Sequence, residues 1–471
     1  MKIDGEKGLA AMPACPQDGQ GDGRETPAVY KDGEWVLTKL TSITKRAQEN
    51  PKGQWTSLAY LLNEGFLKSC FLEIERDKAS GIDGIGVNEY GVNLEENLKD
   101  LVSRMKSKSY RPQAVRRVYI PKADGTKRPL GIPAVEDKIV QMGLKKILEA
   151  IYEVDFLNVS YGFRPHRNCH QALNAVNKAI MTKPINFVVD MDIEKFFDTI
   201  DHQKLVECLS IRIKDRSLIR LIVRFLKAGI MEEGKVSQTD KGTPQGGNLS
   251  PLLANIYLHY ALDLWFEKEF KPQLKGYAQL IRYADDFVAC FQSKSESELF
   301  RQALKTRLEG FGLKIAEDKS RVIEFGRYVW ERARKTGERP DTFDFLGLTH
   351  YCDKTRNDKF KVGHKTARVK FIQKMKAMNI WLKNIRNRVR LEQWWPVIVA
   401  KLTGHYRYYG VSGNYHSLKT FYNQTIKLAF KWINRRSQKK SYNWAQFNRF
   451  LQFNPLPKPR IYYQLYTLSK Y

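Results

Sequence analysis

The spacing of apolar residues predicts helices towards both ends of the chain and strands between them. Residues 55–110 have a helical pattern, as in SLAYLLNEGFLKSCFLEI. Beyond residue 365, apolar positions recur at intervals of four and three residues, with Lys and Arg off the stripe. This pattern predicts three amphipathic helices in a small bundle. The first stripe consists of Phe371, Met375, Met378, Leu382, Ile385 and Val389.

A β-hairpin is predicted at residues 115–133, VRRVYIPKADGTKRPLGIP. Apolar residues alternate on both sides of an Asp-Gly turn, which is a common hairpin signal. Two interpretations of its positive charge are open: an exposed basic hairpin, or a clamp for phosphate groups. The basic residues are Arg116, Arg117, Lys122, Lys127 and Arg128.

A second hairpin is predicted at residues 280–291, LIRYADDFVACF, with Asp285 and Asp286 at its tip. Aspartate is common in turns, so the pair alone could be structural. Two adjacent negative charges repel, however, unless a raised pKa or a divalent metal ion neutralises them. If the pair is more than a structural turn, two interpretations therefore stay open: a carboxylate whose pKa is raised, or a site for a divalent metal ion.

A third strand is predicted in INFVVDMDIEKFFDTIDH, residues 185–202. Asp190 and Asp192 share one face of that strand. Charges at the end of a buried strand are costly unless they bind something, which favours a site here. Further along, Gly246 and Gly247 fit either a tight connection or close approach by a nucleotide.

Charge and composition narrow the class of partner. The 471 residues are enough for two or three domains, and the net charge is +29. Residues 351–471 contain 26 Lys or Arg and three acidic residues, interleaved with Trp, Tyr and Phe, and so carry +23 of that charge. Such a region predicts a nucleic-acid surface rather than an ordinary solvated face.

Other sequence signals exclude some classes. No run of about 18 apolar residues is present, so no transmembrane helix and no membrane partner are expected. The six cysteines form no CxxC pair, which favours reduced thiols in a cytosolic protein. Residues 1–40 fit neither a secretory signal nor a transit peptide, and we expect them to be a flexible leader.

Seven motifs occur together in order: IPK…RPLGIP, SYGFRP, DMDIEKFFD, TPQGGNLSPLLANI, YADD, GLKIAEDKS and FDFLGLTH. The chain resembles group II intron-encoded reverse transcriptases, the maturase family, from about residue 55 onwards. The resemblance implies an α+β right-hand polymerase, with fingers and palm containing an antiparallel sheet at 111–350. It also implies a helical extension of the fingers at 55–110, an all-α thumb or domain X at 365–436, and a basic aromatic tail at 437–471.

The resemblance also assigns site residues. Asp192, Asp285 and Asp286 match the catalytic carboxylates that hold two Mg²⁺ ions. Phe197 matches a bulky residue that would clash with a ribose 2′-hydroxyl. The full set of nucleotide contacts that it implies is Lys122, Arg128, Ile193, Phe197 and Gln245. For four further residues in the motifs, structural and functional roles are equally open: Arg164, Asp190, Asp198 and Lys319.

The implied function is RNA-directed DNA polymerisation that uses dNTPs on an RNA template with a DNA primer. The protein would also bind its group II intron RNA, assist splicing and copy the intron at a DNA target site during retrohoming. It would act in the bacterial cytoplasm, associated with the nucleoid when on target DNA. No cysteine follows Cys352, so a metal-bound endonuclease domain is not expected, and GHYRYYG at 404–410 resembles domain X. Two alternatives stay open: a splicing cofactor that does not polymerise, and a domesticated or defence reverse transcriptase.

Overall fold

The computed structural model describes residues 30–121, 127–232, 235–237, 241–243, 246–436 and 441–465. These residues form helices and three small sheets in which most strand pairs are antiparallel. Within the described ranges, no helix is long and apolar enough to cross a membrane.

The first region is mainly helical. Residues 30–40 were expected to belong to a flexible leader, but they are part of the first helix, and Val36 is buried in the core. The elements are α1 (Tyr30–Glu49), α2 (Glu64–Leu72), α3 (Val87–Tyr90), α4 (Leu94–Lys106), β1 (Val115–Pro121), β2 (Lys127–Ile132) and α5 (Val135–Asp155). Residues 1–29 of the predicted leader lie outside the described part of the chain.

The second region contains the strands that carry the candidate carboxylates. Its elements are α6 (Cys169–Thr182), β3 (Phe187–Met191), α7 (Phe196–Thr199), α8 (His202–Arg212), α9 (Arg216–Leu226), β4 (Ile230–Glu232), β5 (Lys235–Ser237), α10 (Ser250–Leu258), β6 (Ala278–Tyr283), β7 (Asp286–Phe291), α11 (Lys294–Gly310), β8 (Arg321–Glu324) and α12 (Arg327–Thr336). After α10 the helix continues as two π-helical stretches, His259–Asp263 and Trp265–Phe270.

The third region confirms the predicted helical bundle and adds a small sheet before it that the periodicity did not reveal. Its elements are β9 (Phe343–Phe345), β10 (Leu348–Lys354), β11 (Phe360–Thr366), α13 (Arg368–Ile385), α14 (Leu391–Tyr409), α15 (Tyr415–Ile433) and α16 (Trp444–Phe453). The three predicted amphipathic helices are α13, α14 and α15.

Strand pairing confirms both predicted hairpins. β1 and β2 pair antiparallel, and β1 also pairs with β4 in the sheet β2-β1-β4-β5. β6 and β7 pair antiparallel in the central sheet, whose order is β6-β7-β3-β8. The third sheet has the order β11-β10-β9.

The central sheet lies between two hydrophobic clusters. Because side chains alternate along a strand, Val189 of β3 joins the cluster formed with the first region. Val188 and Val288 face the other cluster, which includes residues of α13 to α16. The sheet is therefore held from both sides, and its edge strands are positioned by packing rather than by hydrogen bonds alone.

Helix α6 joins the sheet to the C-terminal helices. Nε2 of His170 lies 2.8 Å from the Tyr408 carbonyl oxygen, and the Asn177 amide donates to the Leu465 carbonyl at 2.5 Å. Leu465 lies in the predicted tail at 437–471, whose described residues, 441–465, include side chains that pack in the core. Phe447 of α16 is fully buried and Leu456 is 4% exposed.

Candidate functional site

The hairpin formed by β6 and β7 is confirmed, but its turn has only two residues, so that Asp285 lies in the turn and Asp286 is the first residue of β7. Tyr283 pairs with Asp286, and Ala284 and Asp285 form the turn between them. Ala284 has a φ of +58°, in the left-handed region that non-glycine residues seldom adopt. The turn is held in this conformation by contacts from the surrounding chain, because the residue itself does not favour it.

The structure brings Asp192 to the same end of the central sheet as the hairpin tip. β3 pairs antiparallel with β7, and Met191 lies opposite Phe287. The next residue in each direction is Asp192 on one strand and Asp286 on the other. Asp190 lies two residues before Asp192 and shares its face. Four carboxylates from two separate sequence motifs therefore lie at the same end of the central sheet.

The carboxylates at this end of the sheet do not all ionise readily at neutral pH, because they are partly buried and close to one another. Asp286 is an exposed residue, but protein closely surrounds its carboxylate. This burial, and then the negative charges of Asp190, Asp285 and Asp192, raise the pKa of Asp286 to about 7. Burial also raises the pKa of Asp190 to about 6, against the opposing effect of Arg321. Such a cluster favours the arrival of a cation.

The donor set fits a hard divalent cation, although the side chains are not gathered around one point. Carboxylate oxygens are the ligands that Mg²⁺ prefers. Among the described residues, however, no three His, Cys, Asp or Glu side chains are close enough together to hold a metal ion as they stand. Asp192 instead accepts a hydrogen bond from Lys319 at 3.1 Å. A metal ion bound by Asp192 would compete with Lys319 for this carboxylate.

The residues that were expected to contact the nucleotide lie in different surroundings in the structure. Phe197 is half-buried, and its carbonyl oxygen accepts a hydrogen bond from the Thr243 N–H at 2.8 Å. Ile193 is only 3% exposed and its side chain packs in the core, and its contact with a nucleotide stays a prediction. Lys122 and Gln245 lie outside the described residues. Arg128 is in β2, and its side chain is likewise not described.

Two cations of the β1–β2 hairpin have partners within the protein. Arg116 donates to the Ser80 carbonyl oxygen at 2.7 Å, and Arg117 lies 3.4 Å from Glu232. These two residues therefore support the hairpin structurally. For Gly246, a Cβ atom would lie 2.6 Å from the Gly131 carbonyl oxygen, so this glycine allows close packing against β2.

The four undecided motif residues lie in three different surroundings. Arg164 is buried, pairs with Glu153 at 2.6 Å and donates to the Leu157 carbonyl oxygen at 2.7 Å, so its described role is structural. Asp190 and Lys319 lie at the carboxylate cluster. Asp198 is exposed on α7.

Sequence reasoning missed Arg282, which precedes the hairpin tip and is completely buried. Its guanidinium pairs with Asp263 and donates to the Ala284 carbonyl oxygen at 2.9 Å. The available signal was a single arginine within an otherwise apolar strand. A buried arginine requires a partner, and that partner lies on a different element.

The C-terminal helices present the basic face that the sequence predicts. Lys370, Lys376 and Lys383 of α13 are exposed. Burial, and then the like charge of Lys370, lower the pKa of Lys374. Crowded positive charges of this kind attract a polyanion.

Comparison with known proteins assigns a class to the central region. A family model described as reverse transcriptase (RNA-dependent DNA polymerase) matches residues 120–350. The matched range includes strand β2 of the first predicted hairpin, the whole of the second hairpin and all the carboxylates of the cluster. It confirms the class that the ordered motifs predicted.

Three relatives indicate which group of reverse transcriptases this chain is similar to. The group II intron-encoded protein LtrA of Lactococcus lactis subsp. cremoris is 42% identical over 306 residues, covering 62% of this chain and 51% of LtrA. Protein YkfC of Escherichia coli (strain K12) is 34% identical over 273 residues, covering 51% of this chain and 71% of YkfC. The putative COX1/OXI3 intron 2 protein of Saccharomyces cerevisiae is 35% identical over 193 residues, covering 41% of this chain and 21% of that protein. The chain thus spans about half the length of LtrA.

Proposed function

The chain belongs to the group II intron-encoded reverse transcriptase/maturase family, and from this premise we propose that it is an RNA-directed DNA polymerase acting on group II intron RNA. The observation that carries the proposal is the meeting of Asp192, Asp285 and Asp286 at one end of the central sheet. In this interpretation residues 111–350 are the fingers and palm, and residues 55–110 extend the fingers.

The proposed reaction is transfer of a deoxynucleotide to a primer 3′-hydroxyl. Asp285 and Asp286 are held at the tip of a hairpin, and Asp192, which pairs with Lys319, lies at the same end of the sheet. Two Mg²⁺ ions bound by these carboxylates would activate the hydroxyl and offset the charge of the leaving pyrophosphate. Because strand β7 is paired on both sides, with β6 and with β3, the hairpin tip that it carries is positioned before substrate arrives.

Nucleotide selection is proposed to involve Phe197 and the β1–β2 hairpin. Phe197 follows Asp192 by five residues, and its main chain is fixed by the hydrogen bond from Thr243. A ring in this position would favour deoxyribose over ribose. Lys122, Arg128 and Gln245 are proposed contacts on the basis of the family motifs.

The RNA partner is proposed to bind the C-terminal helices, which would be the thumb or domain X at 365–436. The net charge of +23 over residues 351–471 supports this assignment, because phosphate contacts dominate affinity for nucleic acids. With intron RNA bound there, the protein would assist splicing and then copy the intron at its DNA target during retrohoming.

The deciding experiment is Mg²⁺-dependent primer extension with dNTPs on a generic RNA template. Wild type is compared with Asp285→Ala plus Asp286→Ala, and with a control that removes two exposed aspartates elsewhere, Asp77→Ala plus Asp341→Ala. Extension by wild type and the control, with none by the hairpin variant, would support the proposal. If no protein extends the primer but all bind structured RNA tightly, the function is that of a splicing cofactor.

A further inference from the structure

Three distant segments of the chain meet at the buried side chain of Arg282. They are residues 159–162, which contain the start of the SYGFRP motif, the helix that starts with α10, and strand β6, which carries Arg282 itself. Arg282 and Asp263 are both fully buried, and Asn255 is 1% exposed. The meeting point lies immediately behind the turn that carries Asp285.

The guanidinium of Arg282 is almost fully used in hydrogen bonds. Nε and Nη2 donate to the two carboxylate oxygens of Asp263 at 2.7 and 2.5 Å. Nη1 donates to the Asn255 side-chain oxygen and to the Ala284 carbonyl oxygen, both at 2.9 Å. The last of these bonds reaches the left-handed residue of the hairpin turn.

The main chain around Arg282 is fixed as well. Its N–H donates to the Val159 carbonyl oxygen at 2.7 Å, and its own carbonyl oxygen accepts from the Tyr161 N–H at 2.8 Å. The Asn255 amide donates to the Gly162 carbonyl oxygen at 2.7 Å. A Cβ atom on Gly162 would lie 2.3 Å from the Ala284 nitrogen, so this glycine permits the two chains to meet.

The π-helical stretch explains how Asn255 and Asp263 reach the same guanidinium. Eight residues make about 2.2 turns of an α-helix, which would leave the two side chains about 80° apart. The π-helical stretch that ends at Asp263 takes up more residues per turn and rotates Asp263 back towards Asn255. Such a departure from α-helical geometry is common at functional sites.

We infer that Arg282, held by Asn255 and Asp263, is a positioning residue that fixes the turn at Ala284 and thereby directs the carboxylates of Asp285 and Asp286. This inference rests on the proposed function. A buried ion pair is weak evidence for stability, and its best attested use is to specify one arrangement. Here the specified arrangement is a turn that its own sequence does not favour, next to the residues proposed to hold metal.

The test compares two buried arginines. Arg282→Lys keeps the charge but loses the planar fork that binds carboxylate and carbonyl together. Arg212→Lys is the matched control, because Arg212 is also buried, pairs with Asp155 at 2.7 Å and donates to the Pro51 carbonyl oxygen. Both variants are studied well below their unfolding temperatures.

Two readouts separate positioning from general stability. Binding of Mn²⁺, followed by electron paramagnetic resonance, is assigned to the hairpin by its loss in Asp285→Ala plus Asp286→Ala. We expect Arg282→Lys to weaken that binding at least fivefold and to lower kcat for primer extension at least tenfold, with affinity for the RNA–primer duplex unchanged. Arg212→Lys should stay within twofold of wild type in both.

A second variant perturbs the turn without touching the ion pair. Gly162→Ala places a methyl group against the Ala284 nitrogen, whereas Gly310→Ala meets no atom within 4 Å and serves as its control. Gly162→Ala should reproduce the loss of Mn²⁺ binding, and Gly310→Ala should not.

The inference is overturned if Arg282→Lys and Gly162→Ala bind Mn²⁺ and extend primers as their controls do, or if wild type shows no hairpin-dependent Mn²⁺ binding. If wild type binds Mn²⁺ at the hairpin but never extends a primer, the proposed function fails. The inference is then decided by the Mn²⁺ titrations alone.

Discussion

Lys319 pairs with the Asp192 carboxylate: its ammonium nitrogen lies 3.1 Å from Oδ2 of that carboxylate. Both side chains are well exposed, 70% for Lys319 and 45% for Asp192. An exposed ion pair of this kind is worth at most about 1 kcal/mol. A divalent cation can therefore displace Lys319, and the pair sets a small barrier to metal binding rather than preventing it.

Replacing Lys319 tests this competition. We expect Lys319→Met to lower the Mg²⁺ concentration that gives half-maximal primer extension, by up to about fivefold, because the competing cation is gone. Lys305→Met is the matched control, since Lys305 pairs with Glu317 on the same surface. A higher Mg²⁺ requirement in Lys319→Met would show that Lys319 supports the metal-bound state.

Phe197 is the proposed barrier to ribonucleotides. Phe197→Ala should raise the efficiency of ribonucleotide incorporation relative to deoxynucleotides by about tenfold or more, because the ring no longer meets the 2′-hydroxyl. The ratio of kcat/KM values for the two sugars measures this. Phe196→Leu is the control, because Phe196 is buried beside it and should affect stability alone. An unchanged ratio in Phe197→Ala would remove Phe197 from the site.

The salt dependence of RNA binding locates the lysines that bind phosphate. Replacing Lys370, Lys376 and Lys383 with Gln should make the slope of log K against log salt shallower, by about 0.7–0.9 for each lysine that binds a phosphate group in the wild type. A control with the same change in net charge replaces Arg301, Lys305 and Arg332, which are ion-paired elsewhere. Equal slopes for both variants would mean that α13 does not bind the RNA backbone.

Helix α16 should contribute to the stability of the fold, because its buried side chain Phe447 packs in the core. Phe447→Ala removes a fully buried ring that packs near Phe430 and is expected to cost about 3–5 kcal/mol. Phe453→Ala, on the same helix, alters a ring that is 84% exposed and should change stability by no more than about 0.5 kcal/mol. Thermal unfolding and hydrogen exchange in α16 distinguish the two, and similar behaviour would contradict the described packing.

Acid should destabilise the fold through buried histidines. Burial, and then the charge of Lys374, lower the pKa of His405 to about 3. The unfolded chain takes up a proton near pH 6.5 whereas the folded chain does not, so this stability is present above about 6.5 and is lost as pH falls. Between pH 7 and pH 5 the loss is on the order of 2 kcal/mol.

The measurement is the difference in pH dependence between wild type and His405→Phe. The pH dependence of wild-type stability alone is insufficient. Burial also raises the pKa of Asp137 to about 7, and that group favours folding at lower pH. His405→Phe should be less sensitive to acid than wild type. His416→Phe, at an exposed position of α15, controls for the loss of one imidazole. Equal acid sensitivity in all three would contradict this assignment.

The sequence predicts those parts of the site that depend on local pattern. Alternation around Asp285 and Asp286 predicted the hairpin, and the acidic end of β3 predicted a second set of carboxylates. Their convergence followed from the ordered motifs. The hydrogen bond between Asp192 and Lys319 could not be predicted, because Lys319 lies 127 residues away in the sequence.

Other features were missed for physical reasons. The π-helical stretch that ends at Asp263 has no periodic signature, since its geometry is imposed by tertiary contacts. The burial of Arg282 depends on partners 19 and 27 residues earlier in the chain. The sheet of β9 to β11 has short strands whose pairing, rather than composition, defines them. Residues 30–40 are polar enough to suggest a leader, yet Val36 is buried in the core and Leu40 packs against it.

The pairing of Asp263 with Arg282 also sets an order for protein synthesis. Asp263 is translated 19 residues before its partner, together with the apolar helix that buries it. Until Arg282 emerges from the ribosome, folding of that helix would enclose an unpaired carboxylate, which is strongly unfavourable. Nascent chains that stop short of Arg282 are therefore expected to stay open around α10 and to be substrates for proteases. Completion of the hairpin strand commits this part of the chain to its fold.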